Sequence, residues 1–277
     1  MAREFLALGD RVVICGRDAS RLEAALTSLR RGLSPEAQLH GALCDVSIAT
    51  DVASLASFAR ERLGAVDRWI NNAGKVTGRR LLPDLEAGEI EAVVGANVLG
   101  SLFGCREALR LMRDQPGGPF HIFNMGFSRW GASFSKSACS HKATKRALTQ
   151  LTESLAEELA TEGVEGVGVH NLSPGMVLTD LLLKDSNPVA RRFFNALAEE
   201  PQTVAADLVP RIRDVRGTAS SIDYLNPALA IGRVVAGAPQ IIFGGRFFDS
   251  EGDRVHEEGK RYNANGVEVL YDVQSCE

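Results

Sequence analysis

The sequence predicts an α/β fold in which helices cover both faces of a parallel sheet. Short β-branched apolar runs alternate with longer helical stretches along the 277 residues. The short runs are largely apolar, which is typical of strands buried on both faces. Alternation of such strands with helices favours a parallel sheet. The length suits one α/β domain or two small ones, and we predict one domain over residues 1–277.

Six strands are predicted, in the order "RVVIC" (11–15), "QLHGALCDV" (38–46), "VDRWINNAG" (66–74), "PFHIFNMG" (119–126), "VGVHNLSPG" (167–175) and "QIIFGGRFF" (240–248). Helices are predicted after Asp18, which can cap one running to about Leu29, and over residues 49–63, 88–113 and 140–163. Residues 184–226 break the alternation and contain Pro188, Pro201 and Pro210. This segment suits a substrate loop or lid.

Composition excludes several classes of protein. A net charge of −4 argues against nucleic acid as the main partner. No run of 18 apolar residues is present, so no membrane span is expected, and the first residues do not resemble a signal or transit peptide. The five cysteines are odd in number and have no C-x-x-C spacing. They are typical of a reducing compartment, and no metal site is expected.

Ligands of doubly wound sheets bind at the carboxyl ends of the strands, and the candidate motifs fall there. "NNAG" closes the third strand, and its small residues permit close backbone approach to a ligand, so Asn72, Ala73 and Gly74 are candidate cofactor contacts. A plain strand-ending turn is the alternative. In "NLSPGMVLTD", Pro174 and Gly175 fix a turn and Thr179 can bond a ligand amide; an ordinary loop is the alternative.

Three polar side chains are expected to converge near the fourth strand. Ser128 lies just past the strand and precedes His141 by 13 positions, and Lys145 is one helical turn beyond His141. Ser133 and Ser135 are rival hydroxyls in the same loop. Asn97, inside the long helix, is a poor interior helix residue and is expected to bond something other than solvent, unless it only marks a buried bend.

The order and spacing of these motifs resemble the short-chain dehydrogenases/reductases, whose pattern is N-N-A-G, a helix Asn, a Ser, then Y-x-x-x-K and P-G. Within that family the chain looks most like the chloroplast chlorophyll(ide) b reductases that lack membrane spans. The narrower likeness rests on "WINNAG", "HIFNM", "VHNLSPGMVLTDLLL" and "FFNALAEEPQTVAADLVPRIR". The resemblance implies a Rossmann-type doubly wound sheet and reduction, by NADPH, of the 7-formyl group of chlorophyll(ide) b to a hydroxymethyl group.

The resemblance also implies residue roles. Asn97, Ser128 and Lys145 match the family's catalytic Asn, Ser and Lys. The Ser would hold the substrate carbonyl, the Lys would bind the nicotinamide ribose and lower the pKa of the acid, and the Asn would hold a relay water. Asp45 matches the family's adenine-contacting Asp; a strand-ending turn is its alternative.

One departure concerns the general acid. His141 stands where the family has Tyr, and Tyr224, Tyr262 and Tyr271, the three tyrosines of the chain, all lie far along the sequence. A free His has a pKa of about 6.5, and beside Lys145 its charged form would be disfavoured. A neutral imidazole is a poor acid, so weak or no reductase activity is predicted.

A second departure concerns the start of the chain. The family begins with a strand and a T-G-x-x-x-G-x-G loop that holds the cofactor pyrophosphate, whereas this chain opens on "MAREFLALGDRVVIC". By resemblance roughly 15–25 residues, the first strand and Gly-rich loop among them, are missing. We expect a fragment whose sheet has unpaired edges.

The cofactor preference follows from the end of the first remaining strand. An acid there would bond the ribose 2′-OH of NAD, but "CGRD" places Gly16 and Arg17 at that point. Arg17 suits a 2′-phosphate, which favours NADPH, although a solvated surface charge is the alternative.

Two rival functions remain open. One is reduction of another carbonyl substrate on the same fold. The other is a non-catalytic partner subunit of a related reductase, in an oligomer with that reductase or with itself, which His141 favours.

Overall fold

The computed structural model describes residues 1–34, 36–78, 80–128, 130–131, 137–183 and 186–255, and the backbone of residues 261–262 and 268–269. The described helices are α1 Ala2–Ala7, α2 Ala19–Arg30, α3 Ala49–Leu63, α4 Ala87–Val94, α5 Gly100–Asp114, α6 Cys139–Thr161, α7 Asp180–Leu183, α8 Pro188–Leu197, α9 Pro201–Asp214, α10 Pro227–Ala236 and α11 Ala238–Phe243. The described strands are β1 Val12–Gly16, β2 Leu39–Leu43, β3 Arg68–Asn71, β4 Phe120–Met125, β5 Val167–Ser173, β6 Met176–Val177, β7 Ala198–Glu199, β8 Ser221–Asp223, β9 Arg261–Tyr262 and β10 Glu268–Val269.

The chain divides into two compact units. The first contains Met1–Ser173 and Val209–Ile222, and the second contains Pro174–Leu208 and Asp223–Glu277. The expectation of a single domain over residues 1–277 stays a prediction.

The sheet of the first unit is parallel where its pairing is described, as predicted. Strand β1 pairs with β2, and β3, β4 and β5 pair in that order with β8 beyond them. Every residue of β4 and β5 is buried, in agreement with the prediction of strands covered on both faces. One side of these strands packs on α5 and α6 through a core that includes Ile122, Val169, Met112 and Leu155.

The described pairing leaves β1–β2 as a sheet separate from β3–β4–β5–β8. Val13 of β1 and Trp69 of β3 nevertheless pack against the same core. The residues of β1 and β3 are mostly half-buried, unlike those of β4 and β5. The expectation that a first strand is missing stays a prediction.

The predicted long helix is interrupted by a π turn. Helix α4 runs into the wide turn Gly95–Leu99, and α5 continues from Gly100. A Cβ at Gly100 would lie 2.8 Å from Val46 Cγ2, so a glycine is required for this close approach. The wide turn carries the buried Asn97, and π turns of this kind are frequent at functional sites.

Other local predictions are confirmed. Asp18 is the N-cap of α2, and its carboxylate accepts a hydrogen bond from the Arg21 backbone nitrogen at 2.9 Å. The helix predicted over residues 49–63 is α3, and the one predicted over residues 140–163 is α6.

The sixth predicted strand is wrong. Residues 238–243 form helix α11, which has Pro239 in its first turn, and the strand beside β5 is β8 instead. Proline presets the backbone for the start of a helix. A short apolar run such as "QIIF" has no periodicity that separates a strand from a helix.

The second unit has its own small core, formed by Leu178, Phe194, Ala198, Phe247 and Phe248. Much of the predicted lid region 184–226 is regular structure, since it contains α8, α9 and β8; the lid role stays a prediction. Lys184 and Asp185 lie outside the described residues. Among the described helices, none is long and apolar enough to cross a membrane.

Candidate active site

The carboxyl end of β3 leads into three exposed residues. Asn71, the last residue of the strand, is buried, and its side chain donates to Asn124 of β4 at 2.9 Å. The three residues that follow, Asn72, Ala73 and Gly74, are exposed. The first asparagine of "NNAG" therefore joins two strands, and the next three residues are accessible to a ligand.

Asn97 is fully buried and uses its whole side-chain amide. Its Oδ1 accepts from the Lys75 backbone nitrogen at 2.7 Å. Its Nδ2 donates to the Lys75 carbonyl at 3.0 Å and to Thr144 Oγ1 at 2.9 Å. The sequence-based expectation that Asn97 bonds something other than solvent is confirmed.

Gly74, Asn97 and Lys145 converge although they are far apart in the sequence. A Cβ added at Gly74 would lie 3.5 Å from Asn97 Oδ1 and 3.6 Å from Lys145 Nζ. The loop after β3, the wide turn before α5 and the first turns of α6 therefore meet at one strand end.

Lys145 is a buried ammonium group. Its Nζ donates to the carbonyl of Met125, the last residue of β4, at 2.5 Å. Burial lowers the pKa of Lys145 to about 8, because the charged form loses solvation. Lys145 remains mainly protonated at neutral pH but is easier to neutralise than a surface lysine.

His141 lies one turn before Lys145 on α6 and is also buried. Its ring meets the ring of Phe127 edge-on, with 5.6 Å between the centroids. Its enclosed Nδ1 has no hydrogen-bond partner among the described residues. Burial, and then the neighbouring Lys145, lower the pKa of His141 to about 4. The expectation that its charged form is disfavoured is confirmed, with burial rather than Lys145 as the larger cause.

Ser128 is buried in the loop after β4, next to Phe127. Its Oγ accepts from the Gly131 backbone nitrogen at 3.1 Å, and its own backbone nitrogen donates to Ser173 Oγ at 3.1 Å. The second bond ties the loop to the end of β5. Of the three predicted hydroxyls, Ser128 is the one that the structure describes; Ser133 and Ser135 lie outside the described residues.

Arg17 and Asp45 meet at the ends of β1 and β2. The guanidinium is 64% exposed and lies 4.0 Å from the Asp45 carboxylate. Asp45 also accepts hydrogen bonds from Ser47, and these, with a smaller contribution from Arg17, lower the pKa of Asp45. An exposed guanidinium with a distant partner is available to an anion.

Pro174, Gly175 and Thr179 belong to the second unit. Gly175 has a φ of 71°, which an L side chain rarely adopts, so a glycine suits this position; the predicted turn stays a prediction. The hydroxyl of Thr179 donates to the Val177 carbonyl at 3.3 Å, and its carbonyl accepts from the Leu182 and Leu183 backbone nitrogens of α7. The predicted contact of Thr179 with a ligand stays a prediction.

Sequence reasoning missed Thr144, which lies between His141 and Lys145 and bonds Asn97. A signal was present, because residues three apart on a helix share a face and Thr144 is three positions after His141. Its partner in the wide turn was not readable from the sequence.

Comparison with known proteins identifies the family of the chain. A model of the short chain dehydrogenase family matches residues 1–188. The chain is 40% identical over 271 residues to the probable chlorophyll(ide) b reductase NYC1 of Oryza sativa subsp. japonica, covering 92% of this chain and 52% of that protein. It is 39% identical over 252 residues to the chlorophyll(ide) b reductase NOL of the same organism, covering 89% of this chain and 72% of that protein. The chain thus spans about half the length of NYC1.

Solved structures agree on the fold. A 3-ketoacyl-(acyl-carrier-protein) reductase from Brucella melitensis, complexed with NADH, matches with a TM-score of 0.67 at 24% identity, over 80% of this chain and 90% of that one. A metagenomic short-chain oxidoreductase in complex with NADP matches with a TM-score of 0.61 at 22% identity, over 81% and 90% of the two chains. The Rossmann-type α/β fold predicted from the sequence is confirmed.

Proposed function

Since the chain belongs to the short-chain dehydrogenase family, whose members are oxidoreductases, we propose that it is an NADPH-dependent reductase of chlorophyll(ide) b. It would convert the 7-formyl group to a hydroxymethyl group during chlorophyll breakdown in the chloroplast. The relatives named chlorophyll(ide) b reductase, chloroplastic, support the substrate and the location. The observation that carries the proposal is the meeting of Gly74, Asn97 and Lys145 at the end of β3.

The described residues fit a dinucleotide. Asn72, Ala73 and Gly74 are exposed at a strand end, where such cofactors bind. The exposed guanidinium of Arg17 suits a 2′-phosphate and supports NADPH over NADH. When bound, NADPH supplies the hydride that reduces the carbonyl carbon.

The residues of the chain then have separate tasks. Ser128 would hold the substrate carbonyl oxygen by its hydroxyl, and Lys145 would hold the nicotinamide ribose. Asn97 has both amide protons engaged within the protein, so its side chain acts by fixing the loop at Lys75. Pro174, Gly175 and Thr179 are proposed cofactor contacts of the second unit, and Asp45 is the proposed adenine contact.

His141 is the proposed proton donor, and its protonation state limits the rate of the reaction. With a pKa of about 4, the imidazole is neutral at pH 7 and has no readily lost proton to give to the carbonyl oxygen. Loss of a general acid typically lowers the rate by ~10²–10⁴-fold. Slow turnover is therefore expected from the chain with His141.

The test is an assay with chlorophyllide b and NADPH, following the 7-hydroxymethyl product by chromatography. His141→Tyr is expected to raise kcat by about 10²-fold or more, because a phenol restores the family's acid. A matched control carries Lys145→Met as well and should lose that gain. A His141→Tyr variant that binds NADPH but shows no increase in kcat would contradict the proposal. A panel of ketones in the same assay shows whether the chain reduces another carbonyl substrate instead.

A second candidate function is that of a non-catalytic partner subunit of a related reductase. The neutral, buried His141 is the one observation that favours it. This reading predicts no turnover by the isolated chain and co-purification with an active relative. It also predicts that adding the chain raises the thermal stability or activity of that relative.

A further inference from the structure

The geometry points to Thr144 as a positioning residue of the site, acting through Asn97. Its catalytic consequence rests on the proposed function, whereas its structural consequence does not. Thr144 is buried on α6, between His141 and Lys145.

The contacts of Thr144 form a continuous chain of hydrogen bonds across three elements. Its hydroxyl donates to the His141 carbonyl at 2.9 Å and accepts from Asn97 Nδ2 at 2.9 Å. Asn97 in turn accepts from the Lys75 backbone nitrogen at 2.7 Å. The first turn of α6 is thereby joined to the loop directly after Gly74.

The direction of each bond is fixed by the number of protons available. Thr144 has one hydroxyl proton, which goes to His141, so its oxygen must accept from Asn97. The second Nδ2 proton of Asn97 goes to the Lys75 carbonyl at 3.0 Å, and this orients Oδ1 toward the Lys75 N–H. Removing the Thr144 hydroxyl leaves a buried N–H of Asn97 without its partner, which favours rotation of the amide.

Helix α6 contains a matched control at Thr152. That hydroxyl donates to the Leu148 carbonyl at 2.9 Å and accepts from Asn124 Nδ2 at 3.1 Å. Thr152 is also buried and lies eight positions after Thr144, on the same helix face. The two threonines therefore make the same kinds of bond, but the partner of Thr152, Asn124, accepts from Asn71 within β3, whereas the partner of Thr144 bonds Lys75 itself.

The decisive measurement is hydrogen–deuterium exchange of the Lys75 backbone amide in the full chain. Thr144→Val should speed exchange of this amide about tenfold, because its acceptor Asn97 is loosened, whereas Thr152→Val should leave it unchanged. Thr144→Ser keeps the hydroxyl and should restore the slow rate. Equal exchange of Lys75 in the Thr144→Val and Thr152→Val variants would overturn the inference.

Thermal melts show whether the variants fold. If Thr144→Val does not fold and Thr152→Val does, Thr144→Ala replaces Thr144→Val in the exchange test. Alanine removes the same hydroxyl without placing a methyl group against Asn97. Normal Lys75 exchange in a folded Thr144→Ala variant overturns the inference equally.

The catalytic consequence is measured in the His141→Tyr background. There, Thr144→Val should lower kcat about ten- to hundredfold with little change in KM for chlorophyllide b, and Thr144→Ser should keep kcat. If His141→Tyr itself reduces no chlorophyllide b, the proposed function fails, and Lys75 exchange still decides the role of Thr144.

Discussion

The first unit holds buried histidines in two different settings. His141 lies on α6 beside Lys145, which bonds the carboxyl end of β4. His121 and His170 lie within β4 and β5, where His121 Nδ1 and His170 Nε2 are 2.8 Å apart and His170 Nδ1 is 2.6 Å from Ser220 Oγ. Burial is the main cause that lowers the pKa of each of the three to about 4.

The comparison teaches that a perturbed pKa does not identify a catalytic residue. The same loss of solvation acts on a histidine in the site and on a pair in the sheet core. What separates them is position, since His141 lies beside Lys145 and beside Phe127 in the loop after β4, whereas the pair lies within the strands and bonds Ser220. The pair is therefore assigned to stability and His141 to chemistry.

The largest effect predicted from this assignment is acid unfolding driven by the pair. The histidines are neutral when folded and accept protons more readily when unfolded, so their contribution to stability is complete above pH 6.5 and is lost as the pH falls toward 4. Protonation of both rings would also place two N–H groups against each other at 2.8 Å, and the nearby Arg68 and Arg216 oppose added charge. Urea unfolding between pH 7 and 4 measures the loss.

Two variants distinguish the contribution of the His121–His170 pair to acid unfolding from that of His141. Replacing both His121 and His170 with Phe removes two titrating groups together and should flatten the acid loss most. His141→Phe should flatten it about half as much, because one titrating group is removed. If neither variant changes the dependence of stability on pH, these buried histidines do not cause the acid unfolding and the prediction is wrong.

Arg17, unlike the buried histidines, is a largely exposed charged residue, and its replacement is expected to have a smaller effect on stability. Because its guanidinium is largely exposed and its partner is distant, Arg17→Ala should change the free energy of unfolding by less than about 0.5 kcal/mol. It should weaken NADPH binding about tenfold and leave NADH binding nearly unchanged. Titration of both cofactors, with Arg21→Ala on α2 as the control, measures this. Equal weakening of both cofactors would contradict the role of Arg17.

Local features of the fold were readable from the sequence and long-range ones were not. The capping by Asp18, the apolar runs of β4 and β5, and the burial of Asn97 each follow from residue type and near neighbours. The contact between His121 and His170 depends on the register of two strands whose residues are 49 positions apart. The helix at 238–243 was missed because a short apolar run fits either kind of element.

The candidate site likewise has local features that the sequence predicts and long-range contacts that it does not. The helical spacing of His141 and Lys145 was predicted, and so was the direction of the His141 pKa shift, but burial, its main cause, requires the folded chain. The link from Thr144 through Asn97 to Lys75 joins segments whose distance in space no sequence pattern gives.

The most direct test of this account is the titration of the His141 ring, followed by NMR of the histidine Cε1 protons and assigned with the His141→Phe variant. The predicted result is a ring that stays neutral well below pH 6.5 for as long as the chain is folded, as a pKa near 4 requires, and it would leave the site without a charged proton donor at neutral pH. A His141 pKa at or above 6.5 would contradict the account, because the imidazolium would then be available as the acid and the chain should reduce its substrate without the tyrosine.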